Sequence, residues 1–124
     1  MFVVNNDLSV YITRGDIGTL ELSAAVSEEE NYEFKPGDIV RFRLMERNKC
    51  ENVLLRKDVE IIEPSTTVII DLTSTDTRIG DSISKPKDYW YEVELNPDTR
   101  PQTIIGYDVD GPKIFRLYPE GADA

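Results

Sequence analysis

The sequence predicts an all-β protein, a single antiparallel β-sandwich of about seven to eight strands with one short helical turn. Three observations predict it. Apolar residues recur at every second position through most of the chain, the pattern of strands buried on one face only. Turn formers interrupt that alternation at short, regular intervals, as in sandwiches and small barrels. At 124 residues the chain is one domain, long enough to bury about two-thirds of its unfolded surface without a disulfide or metal. A small barrel of the OB or SH3 type is the alternative. The mixed connections, and a hairpin expected of the last two strands, favour the sandwich.

Each element has its own signal. A first strand over about 7–14 carries Val10 and Ile12, and a second over about 17–26 sets Leu20, Leu22, Ala24 and Val26 against Thr19, Glu21 and Ser23. A third, about 38–47, sets Val40, Phe42 and Leu44 against Arg41 and Arg43. A fourth, about 53–62, ends with Val59 and Ile61 opposite Asp58 and Glu60. Val68, Ile70 and Leu72 mark a fifth over about 66–72. Thr73 with Asp76 three residues on is an N-cap with an acid at the third helical position, which predicts one helical turn from Ser74 to Ile79. A polar loop, Asp81 to Asp88, leads to a sixth strand over about 88–96, where Tyr89, Tyr91, Val93 and Leu95 alternate with Trp90, Glu92 and Glu94. Strands over about 102–109 and 113–119 complete the set, with a turn at Asp110-Gly111, and Glu120 to Ala124 reads as a frayed tail. Between the runs stand Gly15-Asp16, Lys35-Pro36-Gly37-Asp38, Arg47-Asn48-Lys49, Glu63-Pro64-Ser65 and Asn96-Pro97-Asp98, each suited to a short connection.

Composition narrows function. The formal net charge is −10, which repels phosphate backbones and anionic membranes and so argues against nucleic-acid and membrane partners. The chain has no histidine, the commonest general base and metal ligand near neutral pH. A serine triad of the usual kind therefore has no base. Cys50 is the only cysteine, which precludes an internal disulfide and suits synthesis in a reducing cytoplasm. It is expected in a hairpin loop, where Lys49 lowers its pKa slightly and Glu51 opposes that. The start MFVVNNDLSV lacks the basic region and cleavage site of a secretory signal, and no apolar run reaches the roughly 20 residues that span a bilayer.

Four local features invite functional readings. Arg14-Gly15-Asp16 is the integrin-binding tripeptide, but Ile12 and Ile17 crowd it, which leaves a turn of about two residues, a tight hairpin or a bulge, rather than a projecting loop. Asp108-Val109-Asp110-Gly111 opens like a calcium loop, yet Gly111 comes too early and Pro112 follows, so a hairpin turn fits better. Glu28-Glu29-Glu30 reads as a solvated acidic loop. Trp90 points outward if Tyr89 and Tyr91 face the core; it then fills a subunit interface, stacks on a sugar, or lies under the 81–88 loop. The many acids leave a paired-carboxylate glycosidase conceivable, but a sandwich without a cleft-forming insertion is a poor host for one. No cofactor or metal is expected, and the chain reads as a non-enzyme.

The order of these pieces resembles a known family. Ile12-Thr13-Arg14-Gly15-Asp16 runs into Thr19-Leu20-Glu21-Leu22, followed by Tyr32-Glu33-Phe34-Lys35-Pro36-Gly37-Asp38 and a polar hairpin. Val68-Ile69-Ile70-Asp71-Leu72 then precedes Thr73-Ser74-Thr75-Asp76-Thr77 and Tyr89-Trp90-Tyr91-Glu92-Val93-Glu94-Leu95. Over roughly residues 8 to 118 this resembles the β-sandwich modules of phage and prophage tails, notably the N-terminal part of baseplate upper proteins. The resemblance implies an immunoglobulin-like sandwich in which Arg14, Gly15 and Asp16 form a structural turn. It also implies a non-catalytic role in a virion tail, with other tail or baseplate subunits, or further copies of the chain, as partners. One departure stands out, because the 81–88 loop replaces the family's Gly-Thr-Tyr lead into the tyrosine-rich strand. A carbohydrate-binding sandwich module, with Trp90 and a nearby tyrosine as its platform, is the alternative function.

Overall fold

The computed structural model describes residues 1–27, 29–47 and 49–120, and only the backbone at 49 and 50. Readings that fall on Glu28, on the Cys50 thiol, or on residues 121–124 of the tail lie outside it. The chain forms two facing sheets. The larger has strands β1 (Phe2–Val4), β2 (Val10–Thr13), β4 (Ile39–Glu46), β5 (Lys49–Glu60), β7 (Lys87–Leu95), β8 (Gln102–Ile105) and β9 (Lys113–Tyr118). The smaller pairs β3 (Gly18–Leu22) with β6 (Val68–Leu72). One helical turn, α1 (Ser74–Thr77), follows β6. Strand order in the large sheet is β1-β2-β9-β7-β4-β5, with β8 also on β7. Neither sheet closes on itself, so the barrel alternative falls and the sandwich stands. The chain crosses between the sheets after β2, β3, β5 and β6, the connectivity of an immunoglobulin-like sandwich.

Alternation explains the burial. Leu20 and Leu22 of β3 and Val68, Ile70 and Leu72 of β6 face Val40, Phe42 and Leu44 of β4, Tyr89, Tyr91, Val93 and Leu95 of β7, and Phe115 and Leu117 of β9. At the centre Phe42 stacks on Tyr91 with ring centroids 5.6 Å apart, and Phe115 meets both rings edge-on at 6.4 Å. Burial pushes the Tyr91 hydroxyl well above its ordinary pKa, the charge of Asp7 adding to the shift. That hydroxyl donates to the Leu8 carbonyl, which anchors the loop before β2. The expected cap of α1 is present, with Thr73 accepting from the Asp76 N–H and Asp76 from the Thr73 N–H, though the helix stops at Thr77.

Pairing departs from expectation in three places. β2 runs parallel to β9, so the large sheet is mixed rather than antiparallel. β8 and β9 do not form a hairpin. Both lie on the β7 edge away from β4, β9 along Lys87–Tyr91 and β8 along Val93–Leu95. The turn at Val109-Asp110 does form, bridged by Asp108 and Gly111, but it sits in the connection between them. β5 starts at Lys49, so Cys50 lies on a strand rather than in the hairpin loop. As an edge strand β5 is largely exposed, and it carries two devices that discourage further pairing. A bulge at Leu54 breaks its register with β4. Lys57, opposite the buried Phe42, points inward and bonds Asp76 at 2.6 Å.

Truncating the central ring tests this core. Phe42→Ala is expected to cost about 3–5 kcal/mol, read as a lower urea midpoint with an unchanged slope; a loss under about 1 kcal/mol would contradict the packing.

Candidate interaction surface

The Arg14-Gly15-Asp16 tripeptide sits where the chain leaves β2 in the large sheet for β3 in the small one. It is therefore an inter-sheet crossing and not a tight hairpin between paired strands. Either arrangement turns Val10, Ile12, Leu20 and Leu22 inward, which is why spacing alone pointed to a hairpin. The Asp16 N–H donates to the Thr13 carbonyl at 2.9 Å, and Gly15 has φ +88°. That φ favours glycine; a Cβ would stand 2.9 Å from the Arg78 guanidinium, the end of a flexible, half-exposed side chain that can shift. The fully buried Thr77 hydroxyl accepts from the Gly15 N–H at 3.0 Å and donates to the Asp16 carbonyl at 2.8 Å. Arg14 donates to Glu120 at 3.0 Å and to the Gly80 carbonyl at 2.7 Å. The Asp16 carboxylate binds the amino group of Met1. Both charged groups of the tripeptide are thus engaged within the molecule.

The outer face of the large sheet is organised in transverse rows set by strand register. One row is Asp58–Arg41–Glu94 and the next Arg56–Arg43–Glu92. Arg41, only 8% exposed, makes two forked pairs, with Asp58 at 2.9 and 3.1 Å and with Asp98 at 3.1 and 2.9 Å. Bonds from Arg41, then from Arg56, hold the Asp58 carboxyl far below the ordinary range. The Arg41 bond likewise lowers Asp98. Arg43 pairs with Glu92, and with Glu94 at 3.1 Å. Towards the other end Arg116 forks onto Asp88 at 2.7 and 3.1 Å and lies over the Tyr11 ring. That bond lowers the Asp88 pKa.

Between these charged rows runs an apolar one: Val53 of β5, Met45 of β4, Trp90 of β7 and Ile114 of β9. Trp90 does point outward, opposite the buried Tyr89 and Tyr91. It is partly buried, and the segment over it is not the 81–88 loop. Tyr107, itself 74% exposed, meets the indole edge-on at 6.3 Å and 67°. Pro112 joins them around a small hollow of about 40 Å³. Tyr107 and Asp98 come from loops, whose side-chain directions no periodicity announces. The calcium-like segment is occupied internally, since the Asp108 carboxylate accepts from Lys113 at 2.7 Å and from the Asp110 N–H at 2.9 Å. Among the described residues no three His, Cys, Asp or Glu side chains cluster as a metal site, and no helix is long and apolar enough to cross a membrane.

No protein-family model matches this chain, and no curated protein or solved structure matches it either. The functional reading therefore rests on the surface itself.

Two measurements check the geometry. Thr77→Val strands two backbone groups and is expected to cost about 2–5 kcal/mol, whereas Thr75→Val, exposed on the same helical turn, stays within about 0.5 kcal/mol. Asp58 has a folded pKa below its unfolded value, so its contribution is present above the ordinary carboxylate range, about pH 4, and is lost as pH falls through the depressed folded value. The urea midpoint of wild type should exceed that of Asp58→Asn at pH 7, and the gap should close below about pH 4; a gap independent of pH would refute the pairing.

Proposed function

We propose that this chain is a non-catalytic structural module that works through protein–protein contacts, as in the tail or baseplate of a phage or prophage. The observation that carries the reading is the outer face of the large sheet. Its apolar row, Val53–Met45–Trp90–Ile114, is flanked by paired charges on both sides. Protein interfaces combine a desolvated centre rich in Trp, Tyr and Arg with a polar rim in the same way. The ion pairs fix the arginines on acidic partners of the same face, so a partner meets a preformed surface. The net charge of −10 opposes self-association until a partner neutralises or covers part of it. The alternative, a carbohydrate platform, calls for aromatic rings that offer one flat surface to a sugar, and Trp90 and Tyr107 stand at 67° to each other.

The genes flanking this one give the first test. Neighbours encoding a tape-measure protein, fibres, a holin or a lysin support the reading, and neighbours encoding sugar transporters or glycosidases count against it. With the neighbouring products co-expressed, Trp90→Ala should weaken complex formation by about 2 kcal/mol or more while thermal unfolding of the isolated chain changes little. Quenching of the single tryptophan by a soluble sugar would favour the carbohydrate alternative.

A further inference from the structure

The sandwich is sealed unequally along the seam where β3 borders the large sheet. Where β3 begins, Phe2 lies over Gly18 so closely that a Cβ there would stand 2.6 Å from its ring. Past the end of β3 the described residues leave the seam open. A groove of about 590 Å³ opens between residues 24–26 and β8, with Tyr32, Leu95 and Ile104 among its apolar lining. A second hollow of about 530 Å³ shares Tyr32, Leu95 and Gln102 with it and adds Lys35 and Arg100.

Backbone and charge both mark this groove. Among the described residues β8 has a ladder partner only in β7, which leaves the N–H and C=O groups of its other edge without a strand alongside. On the facing wall, Ala24 and Val26 bond to Tyr32 and Glu30, at 2.6 and 2.8 Å. Among the described residues Lys35 and Arg100 form no ion pair, as is also true of Arg47, Lys85 and Lys87. Arg47 and Lys87 share their hollow with Glu46 and Asp88, whereas Lys35 and Arg100 line one that no carboxylate lines. In a molecule of net charge −10, such a hollow is a place where an acidic segment is attracted rather than repelled.

We propose that the groove docks an extended segment of a partner protein that adds as a strand to the free edge of β8. The segment buries small apolar side chains against Tyr32, Leu95 and Ile104 and sets a carboxylate between Lys35 and Arg100. Strand addition supplies affinity through main-chain bonds, while the groove and the cations choose the sequence. The groove shares no lining residue with the hollow under Trp90, so it constitutes a second contact surface, independent of the first.

The test uses a displayed library of random nine-residue peptides panned against the whole chain. Enriched peptides should alternate small apolar with polar residues and carry Asp or Glu near one end. The labelled consensus peptide, followed by fluorescence anisotropy, should lose about tenfold or more in affinity to Lys35→Glu/Arg100→Glu. Ala25→Arg, which intrudes on the wall, should lose as much, and Trp90→Ala should bind normally. N-methylation of alternate peptide amides should abolish binding in one phase and spare it in the other. The substituted positions Lys35, Arg100 and Ala25 are exposed, and unchanged thermal melts confirm that these variants fold. No enrichment over the charge-reversed variant overturns the proposal. So does binding that survives charge reversal, or that Trp90→Ala removes instead.

Discussion

The Thr77 hydroxyl holds the Gly15 N–H and the Asp16 carbonyl where the chain first passes from the large sheet to the small one. A crossing brings polar backbone to the margin of a closed core, and each group left without a partner there would cost about 1–3 kcal/mol. Thr77 can act in this way because α1 is fixed independently by its reciprocal cap. The same helical turn reaches the far edge of the large sheet, since Asp76 of the cap also receives Lys57 of β5. One turn of helix thus fastens the first crossing, the last crossing and the edge strand. The two sheets can face each other in only one alignment while these bonds hold.

The outer face takes its order from register within the large sheet, which gathers charged residues into transverse rows on either side of an apolar strip. Exposed ion pairs of this kind add little to stability. Arg41 is different, because it is largely buried and its forked pairs tie Asp58 of β5 and, through Asp98, the Asn96–Thr99 turn to β4. Stability thus rests on residues other than those of the outer apolar row: the rings around Phe42 hold the fold, while Val53 and Trp90 stay partly exposed on the far side of the sheet.

Much of this was legible in the sequence where a single physical rule decides. Alternation identified Val40, Phe42, Leu44, Tyr89, Tyr91, Val93 and Leu95 as core, and the same rule put Trp90 outside. The Thr73–Asp76 spacing announced the cap. Pairing was less legible, because period two says which face is buried but not which strand lies alongside. β2 beside β9 and β8 beside β7 both satisfy the same inward residues as the hairpins they replace. β1 has three residues, too few to alternate, and the first part of β5 is exposed on both faces, which erases the signal. Around Trp90 the strand residue could be read from its neighbours, but Tyr107 and Pro112 come from a loop. Spacing alone suggested a turn at Arg14, Gly15 and Asp16, but Thr77, which bonds the Gly15 N–H, lies some sixty residues away in the chain.

The bulged and inward-charged β5 edge has a further consequence. Copies packed at high local density cannot zip together along their longest strand, because the bulge misaligns the ladder and Lys57 is committed to Asp76. A second copy that approaches this edge meets side chains before backbone, which keeps the longest strand of the sandwich from serving as a template for fibre growth.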